Sequence, residues 1–434
     1  MRAEPGASSS IRVFDSLRRE VVPLPLSSDP GQPGWKRLSL YVCGVTPYDS
    51  GHLGHAFTFC VFDVLARWVS ASGFPVRYVQ NVTDVDDPLF ERARRLNVNW
   101  RALADRETDH LVAQMDALGW RRPDVMPRVS EEIPSILSAI DGLAAGGYGY
   151  QAGSYYFEAS RYPGFGGLSH RSRRSMLAKL RDEGLLEPVG PGAKRDALDF
   201  PLWRPSRPDE PAWPSMYGLG RPGWHIECSA MAMRHLGPQV DVHGGGRDLA
   251  FSHHESERAQ SESLTGLVPF AGAWMHAGMV RYDGHKMSKS RGNLVVVEET
   301  LERASAAAVR LYLASHHYRR DWSFRWEGLA RAARLASRLA ALLQHGGGGG
   351  GGAGPQGGLS IGAGAHGGAR DLAEAVGIGL NQGDPELIAE FSAALDDDLD
   401  TPRAVRALRA AVRRRDARAA GWMGSILCGS ASFG

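Results

Sequence analysis

The feature that most constrains this chain is the order of patterns across residues 37–82. Residues 37–42 (RLSLYV) are apolar and rich enough in strand formers to make a buried strand. They run into Cys43-Gly-Val-Thr-Pro-Tyr-Asp49, a loop punctuated by Gly44 and Pro47. From His52 onward, Phe57, Val61, Val64, Leu65 and Trp68 recur at helical spacing, Gly73 stops the run, and residues 76–82 read as a second strand. Strand, helix, strand in that order joins two parallel strands of one sheet. The expected core is therefore a Rossmann-like, doubly wound parallel α/β sheet.

The rest of the chain is organised around that unit. Residues 103–145 read as mostly helical, and residues 146–215, rich in Gly, Pro and Arg, as an inserted subdomain. A second sheet-forming region follows, with a strand at 240–243, Gly-rich turns, a helix from about Leu249 and a strand near 274–280. The expected division is 1–145 for the first half of the α/β domain, 146–215 for the insertion and 216–295 for the second half. Residues 296–345 are expected to be helical, 346–370 a linker and 371–434 a short C-terminal helical segment. Seven consecutive glycines at 346–352 open the linker, because glycine loses too much backbone freedom to order without packing. Thr401-Pro402 reads as a helix start, and residues 421–434 are expected to fray.

Composition narrows the class. Hydrophobic residues make up 43% and charged residues 23% of the 434, ordinary for a globular domain. No apolar run reaches the roughly 20 residues of a membrane helix, and residues 1–10 lack the pattern of a secretory signal. A cytoplasmic monomer is expected. A net charge of +2 gives no electrostatic footprint for wrapping a large nucleic acid. Four cysteines (Cys43, Cys60, Cys228, Cys428) are too few for a disulfide framework. Of the 50 basic residues only five are lysines, yet two stand three apart in Lys286-Met-Ser-Lys-Ser290. In so arginine-rich a chain, paired lysines point to a need for compact ammonium groups.

Two motifs carry chemistry. His52-Leu-Gly-His55 lies at the mouth of the first helix, beyond the carboxyl end of the first strand, where open α/β sheets bind ligands. A helix N-terminus favours phosphate, and Gly54 leaves room for close approach. Alone, such a histidine pair reads equally as a helix cap. Lys286-Met-Ser-Lys-Ser290, followed by Arg291-Gly292-Asn293, reads alone as a solvated basic loop. Asn81-Val-Thr-Asp-Val-Asp-Asp87 offers carboxylates and an amide for a divalent cation, a reading ranked below substrate positioning.

Together, in this order, the two motifs resemble the signature pair of class I aminoacyl-tRNA synthetases. The resemblance implies that His52, His55, Lys286 and Lys289 stabilise the transition state at the α-phosphorus of ATP, with Mg²⁺ on the leaving pyrophosphate. It narrows to the cysteine-activating branch through three motifs: Cys43 in C-G-x-T, Cys228 in Gly220-Arg-Pro-Gly-Trp-His-Ile-Glu-Cys228, and His253 in Phe251-Ser-His-His-Glu255. In that branch these positions hold one Zn²⁺, and Glu257, four residues after His253, matches a fourth ligand. Zinc prefers a thiolate to a hydroxyl, which would separate cysteine from serine. The resemblance also carries over a cysteine- and adenylate-binding set: Gly44, Val45, Thr46, Thr58, Asn81, Val82, Thr83, Trp224, Gly246, Arg247, Asp248 and Val280.

Two acceptors divide the branch: the 3′ end of a tRNA, and the amine of a glucosaminyl-inositol in the mycothiol pathway. C-G-V-T-P-Y-D at 43–49 and V-D-D-P-L-F-E-R at 85–92 are similar to the mycothiol-type ligases. The helical segment at 395–402 (LDDDLDTP) leaves little room for an anticodon-binding domain, so tRNA is not the expected partner. Asp182-Glu-Gly-Leu-Leu-Glu-Pro188 departs from the E-R-G-G-D-P segment of those ligases, Ser252 replaces a usual proline, and Glu257 is more synthetase-like. The expected substrates are L-cysteine, ATP and an amino sugar-inositol.

Overall fold

The computed structural model describes residues 9–48, 51–287, 292–346 and 383–429. Its centre is a parallel sheet of β1 (Lys36–Val45), β2 (Val76–Val82), β3 (Val240–Gly246) and β4 (Ala271–Ala277), in spatial order β4-β3-β1-β2. Tyr41 of β1 pairs with Val79 of β2 and with His243 of β3, and His243 pairs with Trp274 of β4. The strand order reverses between β1 and β3. That gap at the carboxyl ends is the switch point where such sheets accept ligands.

Side chains alternate along β1 because successive residues of a strand point to opposite faces. Leu38, Leu40 and Val42 join one apolar layer, whereas Tyr41 and Cys43 join the other. The first layer is filled by α1 (Leu53–Ala71), which contacts β2 and β3 on one side. The second is filled by α2 (Trp224–Leu236) and α3 (His253–Thr265), packed on each other. The helix expected from Leu249 divides into a 3₁₀ turn, Arg247–Ala250, and α3. Likewise, residues 103–145 contain two helices, Trp100–Ala117 and Ile133–Ala145, separated by a stretch holding Gly119, Pro123 and Pro127.

Between the halves of the sheet, strands Gly149–Ala152, Ser154–Phe157, Phe200–Pro205 and Gly220–Pro222 form a separate antiparallel sheet. Its last strand feeds α2 through Gly223, where a Cβ would stand 1.9 Å from the Pro201 carbonyl oxygen. Only glycine permits that approach, and it sets where Trp224 and Cys228 enter the core.

After β4 the chain forms α4 (Ala306–Ala314) and α5 (Trp326–Gly346), then α6 (Pro385–Asp396), α7 (Thr401–Arg414) and α8 (Ala417–Cys428). Asp400 caps α7 by accepting from the Arg403 amide at 3.0 Å, with Pro402 in the first turn where no amide donor is needed. The expected fraying of 421–434 is corrected for 421–429, while 430–434 and, apart from Gly346, the linker expected at 346–370 lie outside the described residues. Gly421, Met423, Gly424, Ile426, Leu427 and Cys428 are buried in α8, which packs on α1, α4, α5 and α7. Small residues at 419–421 and 424 let helices approach closely, so a stretch that reads as weakly helical is core. No helix among the described residues is long and apolar enough to cross a membrane.

Candidate active site and metal centre

Four sulfur, nitrogen and oxygen donors converge at the switch point. Cys43 ends the regular part of β1, Cys228 lies in the second turn of α2, and His253 and Glu257 are one turn apart on α3. The ligand atoms of the four all lie within 4.8 Å of one another. A tetrahedral zinc with bonds of about 2.0–2.3 Å needs donor separations of about 3.3–3.8 Å, so small side-chain adjustments suffice. None of the four side chains is more than 3% exposed. A second overlapping group, Cys43, His243, His254 and Glu257, shares two of its members.

The surroundings orient this set. His253 Nδ1 is 3.0 Å from His225 Nδ1, which leaves Nε2 facing Glu257 Oε1 at 3.1 Å. The Trp224 ring stacks on His253 at 4.2 Å and fixes the imidazole plane. Cys43 Sγ donates to Glu257 Oε1 at 3.4 Å and lies 3.6 Å from His243 Nε2. Glu257 Oε2 is fully buried and accepts no hydrogen bond. Burial holds His253 well below the usual imidazole range, with His225 and His243 adding to the effect. It pushes the Cys43 thiol and the Glu257 carboxyl up. A neutral imidazole is the ligating form, and a dication would restore the charge that burial denies to thiolate and carboxylate. The donor set therefore fits a metal ion.

The residues expected around the nucleotide divide by element. His52 caps α1, its Nδ1 accepting from Gly54 N at 3.0 Å, and stacks on His55 with ring centroids 3.9 Å apart. Thr58, one turn on, donates to the Gly54 carbonyl at 3.2 Å. The same helix start is tied to the chain beyond the lysine motif: Leu53 N donates to Val295 O at 2.8 Å, and His52 bridges Val296. Lys286 ends a short strand, His285–Lys286, that pairs with Val280–Tyr282 and so places Val280 in the same small sheet. Lys289 lies outside the described residues.

At the ends of β1 and β2, Gly44 N donates to Asn81 Oδ1 at 2.9 Å, and a Cβ on Gly44 would meet the Asn81 carbonyl oxygen at 1.7 Å. Asn81 Nδ2 reaches Thr83 Oγ1 at 3.0 Å, and Thr83 N donates to Val45 O at 3.1 Å. Val82 is buried at the end of β2. Thr46 Oγ1 donates to Asp86 Oδ2 at 2.8 Å. Across the switch point, Gly246 ends β3, and Arg247 and Asp248 occupy the 3₁₀ turn, with Arg247 Nη1 2.9 Å from Asp321 Oδ1.

The cation reading of residues 81–87 loses ground. Asp84 accepts from Ser130 N and Oγ at 2.9 and 2.6 Å, Asp86 from Thr46, and Asp87 from Arg204 at 2.9 Å. Each carboxylate is already committed. The sequence reading takes His243 only as the end of a strand, and His254 and Asp86 only as members of longer motifs, with no role of their own. A histidine directly before three glycines on a strand, and an Asp-Asp-Pro helix start, were the available signals.

Residues 32–334 match the profile of the tRNA synthetases class I (C) catalytic domain. The chain is 43% identical over 405 residues to a cysteine–tRNA ligase of Anaeromyxobacter dehalogenans, covering 91% of this chain and 75% of that protein. It is 42% identical to the L-cysteine:1D-myo-inositol 2-amino-2-deoxy-alpha-D-glucopyranoside ligase of Thermobispora bispora, covering 93% and 94%. Among solved structures, the Mycobacterium tuberculosis methionyl-tRNA synthetase complex with methionyl-adenylate superposes with a TM-score of 0.59 at 16% identity. That match covers 87% of this chain and 82% of that one, and shows the shared fold. The parallel sheet, the convergent Cys/His/Glu donors and these matches place the chain in the class I aminoacyl-tRNA synthetase family, in its branch of ATP-dependent cysteine ligases.

Proposed function

We propose that the chain joins L-cysteine to the amine of glucosaminyl-inositol through a cysteinyl-adenylate, releasing pyrophosphate and then AMP. The observation that carries the cysteine half is the convergence of Cys43, Cys228, His253 and Glu257 at the switch point. A zinc ion held by these residues would take the substrate thiolate as an additional ligand and so reject serine.

The cysteine carboxylate is ionised at neutral pH and needs no base to attack the α-phosphorus. One carboxylate oxygen forms the new P–O bond while the bond to pyrophosphate breaks. His52 and His55 at the helix start, with Lys286 and Lys289, would offset the charge that develops on the phosphate, with Mg²⁺ on the leaving pyrophosphate. Thr46, Thr83, Trp224 and Asp248, with Gly44, Val45, Thr58, Asn81, Val82, Gly246, Arg247 and Val280, would hold the cysteine amine and the adenylate. In the second half, the neutral acceptor amine attacks the acyl carbon, the bond to AMP breaks and the amine loses a proton.

The acceptor assignment rests on C-G-V-T-P-Y-D at 43–49 and V-D-D-P-L-F-E-R at 85–92. In the latter, Pro88 sits in the first turn of the helix Asp87–Leu96, where a missing amide costs nothing. A tRNA acceptor is the second reading, favoured by Glu257 within the donor set. Acceptor-dependent AMP release decides between them, with glucosaminyl-inositol, glucosamine or cysteine-accepting tRNA supplied in parallel. Stimulation by glucosaminyl-inositol alone is expected. Stimulation by tRNA alone would overturn the assignment and make the chain a synthetase.

A further inference from the structure

Thr46 stands in the proposed cysteine site, yet a threonine hydroxyl both donates and accepts, and nothing in its own structure decides which face meets the ligand. Its neighbour does. Thr46 Oγ1 lies 2.8 Å from Asp86 Oδ2, and a carboxylate can only accept, so the hydroxyl proton is spent on Asp86. The lone pairs of Thr46 are then left to accept from a donor. The α-ammonium of cysteine offers three N–H donors and a positive charge.

We propose that Asp86 is the positioning residue that turns Thr46 into an ammonium acceptor and supplies the negative charge that selects an α-amino thiol. This inference rests on the cysteine-adenylation reading above and deepens it.

Geometry supports the part. Asp86 caps the helix Asp87–Leu96, its Oδ1 accepting from Asp87 N at 2.9 Å, so one oxygen is held by backbone and the other is aimed at Thr46. The helix start fixes the carboxylate, and β1 delivers Thr46 three residues after Cys43, on the loop leaving the metal cluster. The carboxyls of Asp87 and, from α2, Glu227 also face Asp86, as do the Tyr48 hydroxyl and, from the strand Gly220–Pro222, the Arg221 guanidinium. Arg221 is itself engaged by Glu210 at 3.1 Å and by Asp87. Both oxygens of Glu227 are buried without a hydrogen bond, and burial, with Asp86 adding to it, pushes that carboxyl up, so the charge available near Thr46 is that of Asp86.

Burial, with Asp87 adding to it and the Thr46 hydrogen bond opposing, pushes the Asp86 carboxyl up to about 6. It is thus anionic above about pH 6 and neutral below. Cysteine affinity should fall as pH falls through that value.

The test compares the unaltered protein with Asp86→Asn, which is isosteric and can keep the cap through its one oxygen, but removes the charge and turns a donor toward Thr46. Cysteine-dependent pyrophosphate exchange gives KM and kcat, and inhibition of that exchange by 3-mercaptopropionate reports a ligand with the thiol and carboxylate but no amine. Losing a charge-assisted hydrogen bond is expected to raise the cysteine KM about 10- to 100-fold, with kcat changed less than about threefold. The inhibition constant of 3-mercaptopropionate should stay within about twofold, and the rise of cysteine KM below about pH 6 should disappear in the variant. Equal losses for both ligands would reduce Asp86 to a structural cap and overturn the inference, as would an unchanged cysteine KM. Absence of cysteine-dependent exchange in the unaltered protein would overturn the adenylation reading and this inference with it.

Discussion

Cys228 has no partner in its own stretch of sequence: no second cysteine stands near it, and a lone buried cysteine is ordinarily a small apolar side chain. The fold gives it company, because α2 and α3 pack on each other under the ends of β1 and β3 and bring Cys43, His253 and Glu257 within 4.8 Å of it. Cys228→Ala is expected to lose most bound zinc, measured by metal analysis of the purified protein. Its preference for cysteine over serine in pyrophosphate exchange should fall by more than the about 10- to 100-fold typical of changes one shell further out. Retained zinc with full selectivity would sink the metal assignment. His225, which orients His253 through its Nδ1, shapes the same site from behind a donor, and only its distance in the fold reveals it.

At the scale of elements, helix α8 is where local reading failed most clearly. Residues 417–428 (ARAAGWMGSILC) carry two glycines and no acidic residue, so propensity argues against a stable helix. Tertiary burial outweighs that preference. Ile426 and Leu427 are each 1% exposed, and the buried Arg310 side chain donates to the Leu427 carbonyl at 2.9 Å. Arg310 in turn pairs with Asp63 of α1 at 2.5 Å, and Arg67 pairs with the same carboxylate at 2.8 Å. Ile426→Ala should therefore cost about 2–5 kcal/mol in denaturant unfolding. A loss below about 0.5 kcal/mol would return this segment to the frayed end expected from its composition. β1, α1 and β2 were legible in advance, because a strongly periodic run between turn signals leaves little choice of partner.

For the whole molecule, one carboxylate joins three distant parts of the chain. Asp398 Oδ1 accepts from Phe14 N at 2.8 Å and from Tyr318 OH at 2.6 Å, while Oδ2 pairs with Arg319 Nε at 2.6 Å. Nearby, Asp396 accepts from Trp68 Nε1 of α1 at 2.9 Å. The loop between α6 and α7 thus fastens the C-terminal helices to the α/β core. Asp398→Ala would leave the buried Tyr318 hydroxyl without its acceptor and Phe14 N with only the Tyr318 oxygen at 3.2 Å, at about 1–3 kcal/mol. Limited proteolysis should then release the segment containing α6–α8 earlier than in the unaltered protein. Identical cleavage rates would show that apolar packing alone holds it.

The parallel α/β core, the two nucleotide-side motifs and the cysteine-activating branch are legible in the residues alone. Each of these is written in contiguous residues: a βαβ period, a histidine pair at a helix mouth, a lysine pair in a loop, and short motifs around Cys43, Cys228 and His253. It took the folded chain to bring those donors within reach of one another, to aim the Thr46 hydroxyl at Asp86 and to make α8 core. The physical reason is one of range. Periodicity and turn chemistry act over a few residues and leave a trace in the chain, whereas a coordination shell or a buried helix face depends on segments some two hundred residues apart, which only packing brings together.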